Sequence, residues 1–318
     1  MKHPQPMATD QAKCVWQQRS DLGEGIIWCP NSRALWWTDI LGHQLFRYSP
    51  DTDNKASWAM PEALTCIVPC SNGHYLSLFA SGLYLCQLNA NNNFVRLNKL
   101  TDTHEVTSNR PNDGCCDYWG NLWFGTMDNQ EQKPTGAFYR YSATTGLSKK
   151  MDGIAITNGP AVVPPLDGNN LSLIYYTNTL EKTIYQANIT SSGDLLNAKP
   201  FYQFTANDGY PDGMAIDADY HVWCCLWGEG KIVRINPAGK IVQQCLVPTS
   251  NVTKCAFAKE QRGLYVTTAR KGLSANTLEK QPLAGSLFYL ATPVGGLPSA
   301  QFKLNELSDQ YQAENRSI

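Results

Sequence analysis

Residues 109–127 read NRPNDGCCDYWGNLWFGTM and join a polar triplet, Asn112-Asp113-Gly114, to an aromatic segment. Asn112 precedes Trp123, the centre of that segment, by 11 residues. The same pairing recurs at similar offsets elsewhere: Glu24 before Trp36, Asn158 before Tyr175 across a turn-rich insert, and Asp212 before Trp223. A repeated offset indicates a repeated structural position. The glycines that follow in these motifs are expected to be turn glycines.

Strand-like segments with an aromatic anchor occur six times. The anchors are 39 to 52 residues apart: Trp36, Tyr75, Trp123, Tyr175, Trp223 and Tyr265. The copies around them span Arg33–Asp51, His74–Asn91, Gly120–Gly146, Leu171–Gly193, His221–Gly239 and Arg262–Gly295. Their strands are short and rich in β-branched and aromatic residues, and no stretch keeps a helical period over several turns.

A period of this length, built of strands alone, is typical of propeller blades. The sequence therefore predicts an all-β fold, a six-bladed β-propeller. Lys13–Gln18 is expected to supply the strand that completes the last blade. An elongated β array or a sandwich is the alternative, which the long repeat unit disfavours.

The bulk composition indicates one globular domain over residues 1–318, with loose termini at 1–12 and 305–318. Hydrophobic residues make up 42% of the chain and the net charge is −1, so electrostatic binding to nucleic acid or membrane surfaces is not expected. No apolar run in the sequence is long enough for a transmembrane helix, and Met1–Cys14 lacks an apolar signal core, so we expect a cytoplasmic protein. The 11 cysteines are expected to be buried free thiols, because the spacing that a zinc site needs is missing.

Equivalent positions of the innermost strands face the same end of a propeller's channel. Six side chains are thus expected to approach one axis: Glu24, Thr65 or Cys66, Asn112, Asn158, Asp212, and Thr253 or Lys254. Glu24, Asn158 and Asp212 together offer two carboxylates and an amide oxygen, the ligands that hard divalent cations prefer. We predict that they bind one divalent cation, Ca, Mg, Mn or Zn, with positions left for water and substrate.

The chain resembles the senescence-marker-protein-30, gluconolactonase and regucalcin family from about Asp21 to Leu290. The resemblance rests on six segments in order: LGEG (22–25), NRPNDG (109–114), GNLWFGTM (120–127), TNG (157–159), YPDGM (210–214) with Ile216-Asp217, and LYVTTAR (264–270). It implies a six-bladed propeller that hydrolyses sugar lactones with a divalent cation.

Residue by residue, the resemblance implies that Glu24, Asn158 and Asp212 are the metal ligands. Arg110 and Asn112 match the family's substrate contacts, and Asp212 matches the residue that handles the proton of the attacking water.

Some family members also have an acidic substrate contact shortly after the Gly-Thr-Met motif. Here it falls in the run Asp128-Asn129-Gln130-Glu131, and we assign it to Asp128. Residues 128–134 form a loop that could cover the site.

The predicted activity is metal-dependent hydrolysis of a sugar lactone to the corresponding sugar acid by a metal-activated water. The expected partner is the sugar lactone, and no nucleic acid or membrane partner is expected. We expect the protein to be a monomer or a weak homo-oligomer. One alternative is an organophosphate or phosphotriester hydrolase on the same metal site. Others are a non-catalytic calcium-binding propeller and a protein-binding propeller, since Trp37-Thr38-Asp39 is similar to the repeat of YWTD propellers.

Overall fold

The computed structural model describes residues 11–103, 106–165, 170–258 and 263–304, which contain 24 strands and one short helix, α1 (Ala275–Lys280). The strands are β1 (Lys13–Trp16), β2 (Gly23–Cys29), β3 (Ala34–Asp39), β4 (Gln44–Ser49), β5 (Asn54–Ala59), β6 (Leu64–Pro69), β7 (Tyr75–Phe79), β8 (Gly82–Leu88), β9 (Phe94–Thr101), β10 (Asn109–Cys116), β11 (Leu122–Asp128), β12 (Gly136–Ser142), β13 (Gly146–Ile154), β14 (Thr157–Val162), β15 (Leu171–Asn178), β16 (Thr183–Thr190), β17 (Leu195–Gln203), β18 (Tyr210–Ile216), β19 (Val222–Trp227), β20 (Lys231–Ile235), β21 (Ile241–Leu246), β22 (Val252–Phe257), β23 (Gly263–Thr268) and β24 (Leu287–Ala291).

The strands form six four-stranded antiparallel sheets, which are the blades of a propeller. Blades 1 to 5 each use four consecutive strands, from β2–β5 through β18–β21. Blade 6 consists of β22, β23 and β24, and β1 from the other end of the chain completes it as the outermost strand. The first strands of neighbouring blades contact one another around a closed ring. The predicted six-bladed β-propeller is confirmed, as is the strand that closes it.

Every aromatic anchor lies on the second strand of its blade, where successive side chains point to opposite faces. In β3, Trp36 packs toward blade 2 against Tyr75, while Trp37 packs toward blade 6 in the cluster that contains Tyr265. Similar clusters fill the other spaces between blades. The core is therefore a set of layers between blades, and the repeat of 39 to 52 residues is the repeat of those layers.

The C-terminal segment closes the end of the channel where the innermost strands finish. Leu297 N–H donates to Ile216 O (3.2 Å), and Phe302 N–H donates to Pro69 O (2.9 Å). Phe302 is fully buried against blades 2 and 3. Within the described residues, this segment therefore covers one end of the channel, and the polar motifs lie toward the other end.

Of the termini that we expected to be loose, residues 1–10 and 305–318 lie outside the described residues. Gln11 and Ala12, the described part of the first stretch, contact blade 5: Ala12 is buried, and its N–H donates to Leu246 O (2.9 Å).

All 11 cysteines lie in the described ranges and are free thiols, and most of them are buried. Burial raises the pKa of Cys66 to about 12, for example, so this thiol stays protonated and unreactive near neutral pH. The expectation of buried free thiols is confirmed. Among the described helices, none is long and apolar enough to cross a membrane.

Candidate active site at the open end of the channel

Each innermost strand has a β-bulge, where its pairing with the second strand of the blade shifts register. In blade 3 the shift lies between Pro111 and Gly114, and in blade 5 between Pro211 and Met214. A bulge leaves residues out of the ladder and redirects their side chains. The polar motifs therefore lie in bulges inside strands, and the expectation that their glycines are turn glycines was wrong.

The bulges place one polar residue of each blade at the same level of the channel. We call these six residues, all of them buried, the upper ring: Glu24, Thr65, Asn112, Asn158, Asp212 and Thr253. Two members turn away to backbone carbonyls, since Thr65 Oγ1 donates to Leu78 O (3.2 Å) and Thr253 Oγ1 donates to Gly23 O (2.5 Å). The other four members line a cavity.

This mouth cavity has a volume of about 320 Å³. Its lining comprises Leu22, Glu24, Arg110, Asn112, Met127, Glu131, Ile156, Asn158, Thr179, Leu180, Tyr210, Asp212, Trp227, Lys271 and Gly272. The cavity thus brings together five of the six site residues predicted from the sequence, and the sixth, Asp128, is not among its lining residues.

A chain of hydrogen bonds fixes the amide side chains of the site. Arg110 donates to Asn112 Oδ1 (2.6 Å), and Asn112 Nδ2 donates to Asn158 Oδ1 (2.6 Å). Asn158 Nδ2 in turn donates to Thr179 Oγ1 (3.1 Å), whose hydroxyl donates to Pro211 O (3.0 Å). Because an amide oxygen has two lone pairs, Asn158 Oδ1 keeps one for a ligand.

The two carboxylates of the site are held in an environment that disfavours their charge. Burial, followed by the nearby charge of Asp113, raises the pKa of Glu24 to about 7. Burial and the charge of Glu24 raise the pKa of Asp212 well above its ordinary value. Asp212 Oδ1 is also buried without a hydrogen-bond donor among the described residues. A buried acceptor left unpaired is costly, so Asp212 Oδ1 is suited to bind a cation or a water.

A divalent cation fits this donor set. Glu24 and Asp212 offer two carboxylates, Asn158 offers a neutral oxygen, and hard cations prefer such ligands. A cation between the two buried carboxylates would favour their charged forms and so oppose the burial that raises their pKa values. The free Asp212 Oδ1 supplies the coordination position that such an ion requires.

A second acidic group lies elsewhere, in the turn between β18 and β19. Ligand atoms of Asp217, Asp219 and His221 lie within 4.8 Å of one another. Arg234 already supplies the positive charge there, donating to Asp217 Oδ2 (2.7 Å) and Asp219 Oδ2 (3.0 Å), and Trp223 Nε1 also donates to Asp217. This group serves the turn that orients Trp223.

Asp128, which we assigned as the acidic contact after Met127, does not line the cavity. The Asp128 carboxylate is buried and accepts the backbone N–H groups of Gln132 and Lys133 (3.1 Å each), so it stabilises the loop and does not reach the cavity. Glu131 lines the cavity instead. One sequence signal could have predicted this role of Asp128. An Asp at the end of a strand, before a polar run, often accepts hydrogen bonds from the backbone of the loop that follows.

Glu131 pairs with Lys271, a residue that the sequence reasoning missed. Their side chains form an ion pair, and both are about one-third exposed. Glu131 follows β11 of blade 3, whereas Lys271 follows β23 of blade 6, and these blades are opposite in a six-membered ring. The pair therefore spans the mouth of the channel above the buried carboxylates.

The chain is similar to known proteins over most of its length. The family model of the SMP-30/Gluconolactonase/LRE-like region matches residues 22–270. An L-arabinolactonase of Azospirillum brasilense is 33% identical over 296 residues, 92% of this chain and 95% of the relative. A 6-deoxy-6-sulfogluconolactonase of Pseudomonas putida is 29% identical over 292 residues, 91% of this chain and 98% of the relative.

Among solved structures, a calcium-binding protein, regucalcin, from Agrobacterium tumefaciens superposes with a TM-score of 0.82 at 26% identity. The match covers 93% of this chain and 98% of that one. The family model includes the innermost strand of every blade and all the cavity-lining residues except Lys271 and Gly272.

Proposed function

The chain belongs to the SMP-30/gluconolactonase/LRE-like family, and on this premise we propose that it hydrolyses a sugar lactone to the corresponding sugar acid with one divalent cation. The observation that carries the proposal is the pair of buried carboxylates, Glu24 and Asp212, which face one cavity with Asp212 Oδ1 unpaired. Relatives named as lactonases of two different sugars support the reaction class.

Glu24, Asp212 and Asn158 would hold the cation. When bound, such an ion polarises a carbonyl group and lowers the pKa of water. All-oxygen ligands accommodate Ca, Mg, Mn or Zn, and the calcium-binding relative makes calcium the first ion to test.

Proton transfer is assigned to Asp212. Its carboxylate lines the cavity, so the oxygen that does not bind the cation can accept a proton from the water that attacks the lactone carbonyl. The new bond joins the water oxygen to the carbonyl carbon, and the bond from that carbon to the ring oxygen breaks. The proton then passes to the ring oxygen, which becomes a hydroxyl of the open-chain acid.

Arg110 and Asn112 are proposed to orient the substrate. Their mutual hydrogen bond and the bond from Asn112 to Asn158 connect the substrate side to the metal side, so a sugar hydroxyl bound by them has a fixed position relative to the carboxylates. We propose Glu131 in place of Asp128 as the acidic contact, because only Glu131 reaches the cavity. The volume of about 320 Å³ is at the small end for ligand pockets and favours a single sugar ring.

The test is a pH-stat screen of five- and six-membered sugar lactones on metal-stripped protein, with each cation added back separately. Glu24→Gln and Asp212→Asn should each lose bound metal and lactonase activity together. The loss should exceed the about 10–100-fold effect of removing an outer-shell partner of a metal site. Asp219→Asn is the matched control, because it removes an acid from the second group and should leave metal content and rate unchanged.

Two outcomes would contradict the proposal. Normal lactonase rates in Glu24→Gln or Asp212→Asn would remove these residues from the reaction. Activity on phosphotriesters with none on lactones would assign the same site to phosphoester hydrolysis, and bound calcium with no activity on either class would make the protein a calcium-binding propeller.

A further inference from the structure

A second ring of residues lies one step deeper in the channel than the upper ring. We call it the lower ring, and its members directly follow those of the upper ring in sequence: Gly25, Cys66, Asp113, Gly159, Gly213 and Lys254. Three members are glycines and contribute no side chain. A Cβ on Gly213 would lie 2.4 Å from Lys254 Cγ, so the lysine side chain occupies the space that this glycine leaves.

Lys254 and Asp113 form a buried ion pair across this ring. Lys254 Nζ donates to Asp113 Oδ1 and to Gly114 O (3.3 Å), and the two side chains are 4% and 1% exposed. Asp113 Oδ2 accepts the N–H of Gly159 (3.1 Å), and Oδ1 accepts the N–H of Gly114 (2.8 Å). The pair joins blade 3 to blade 6, as the pair at the mouth does.

The ion pair separates two spaces of the channel. Above it is the mouth cavity with Glu24 and Asp212, which neither Asp113 nor Lys254 lines. Below it is a second cavity of about 150 Å³, which Lys254 lines together with the C-terminal segment around Pro298. Burial alone would lower the pKa of Lys254, but the charge of Asp113 raises it above its ordinary value, so the ammonium stays charged.

The charges of the channel explain why a fixed cation is needed there. Glu24, Asp113 and Asp212 place three carboxylates inside the propeller, and a single divalent cation can balance two of them. Lys254 pairs with the third, Asp113, while the charge of Arg110 acts on Glu24 at the upper ring. Its ammonium also occupies Asp113 Oδ1 and Gly114 O, a carboxylate and a carbonyl oxygen that a second hard cation would use.

From this arrangement we propose that Lys254 acts as a built-in cation, which keeps Asp113 out of the metal ligand set and limits the channel to one exchangeable divalent cation. The cation held by the upper ring is part of the proposed function. The exclusion of a second cation at the lower ring rests on the Lys254–Asp113 contacts alone. Removing the lysine side chain should therefore open a second cation site below the first.

The test counts bound calcium per chain by equilibrium dialysis with elemental analysis of purified protein. Wild-type protein should bind one ion, and Lys254→Ala, purified in calcium, should bind two. The double variant Asp113→Asn/Lys254→Met is the matched control, because two uncharged side chains then fill the space of the ion pair. It should bind one calcium ion. A folded Lys254→Ala protein that binds the same number of ions as wild type would overturn the proposal.

Lys254→Gln provides a measurement that does not depend on the alanine variant. Its amide can still donate to Asp113 and Gly114 O, so the fold is supported, but the positive charge near the upper site is lost. Calcium should then bind about 10-fold tighter by calorimetry, which corresponds to about 1.4 kcal/mol. An unchanged dissociation constant would mean that Lys254 does not act as a cation toward the site.

These outcomes separate the inference from the proposed function. Wild-type protein without bound calcium or another divalent ion would contradict the proposed metal site. A gain of one ion in Lys254→Ala would still support the inference in that case. One ion in both proteins would overturn the inference and leave the proposed metal site in place.

Discussion

In the absence of metal, replacing Glu24 by Gln should stabilise the protein, although it removes a predicted metal ligand. Glu24 is buried near Asp113 and Asp212, and burial with the charge of Asp113 raises its pKa from 4.5 to about 7. Its carboxylate accepts one backbone hydrogen bond, from Gly25 N–H (2.9 Å), which the oxygen of Gln can also accept. The substitution therefore removes an unfavourable charge and keeps the contact.

The size and pH range of this effect follow from the same pKa. An acid with a raised pKa in the folded state binds more protons there than in the unfolded chain, so the free energy of unfolding falls as pH rises between the two values. For Glu24 this window runs from 4.5 to about 7. The difference between these two pKa values corresponds to about 3 kcal/mol in the free energy of unfolding. Wild-type protein has lost this stability at pH 8, whereas the Gln variant has not.

Urea denaturation in the presence of a chelator, from pH 5 to pH 8, measures the effect. Glu24→Gln should be close to wild type at pH 5 and more stable by about 3 kcal/mol at pH 8. Glu279→Gln, an exposed substitution on α1, is the control and should show no such trend. Calcium should reverse the order, because it stabilises only the protein that binds it. A Gln variant that is equally or less stable than wild type at pH 8 would refute the electrostatic reasoning.

Three further predictions concern the rings and the mouth. Gly213→Ala should destabilise the protein by about 1–3 kcal/mol in urea denaturation, because its Cβ would lie 2.7 Å from the backbone Cα of Lys254; an unchanged midpoint would contradict this packing. Arg110→Ala should lower kcat/KM for the lactone by about 10–100-fold, the cost of a charged hydrogen bond, while the metal content stays constant; loss of metal would instead give Arg110 a structural role. Glu131→Gln should raise KM more than Lys271→Met does in steady-state kinetics, because only the glutamate is proposed to contact substrate; the reverse order would make the lysine the contact.

The sequence was sufficient to predict the blades and their closure. Aromatic anchors such as Trp36 and Trp123 mark the second strand of each blade, since the layers between blades require a large apolar residue at that position. The common offset to those anchors also predicted which side chains share one level of the channel, and Glu24, Asn158 and Asp212 do line one cavity.

The bulges and the ion pairs could not be predicted in the same way. A bulge depends on how an innermost strand pairs with its neighbour, and an Asp-Gly dipeptide favours a turn when it is considered alone. Asp113 and Lys254 are 141 residues apart, and Glu131 and Lys271 are 140 apart, so only the closed ring brings each pair together. The choice between Asp128 and Glu131 also depends on the folded chain, because the path of the loop decides which acid reaches the cavity.

The repeated motif therefore encodes two levels of the channel with two consecutive residues. The first residue supplies an oxygen to the upper ring, as in Glu24 and Asp212, and the second is glycine where the lower ring must leave room. Blades 2, 3 and 6 have other residues at the second position, namely Cys66, Asp113 and Lys254. Asp113 and Lys254 meet in the space that the glycines leave. Because Asp113 and Lys254 carry opposite charges on opposite blades, a change at one that leaves the other charged and unpaired is expected to cost about 3–5 kcal/mol, and a matching change at the other should recover most of that stability.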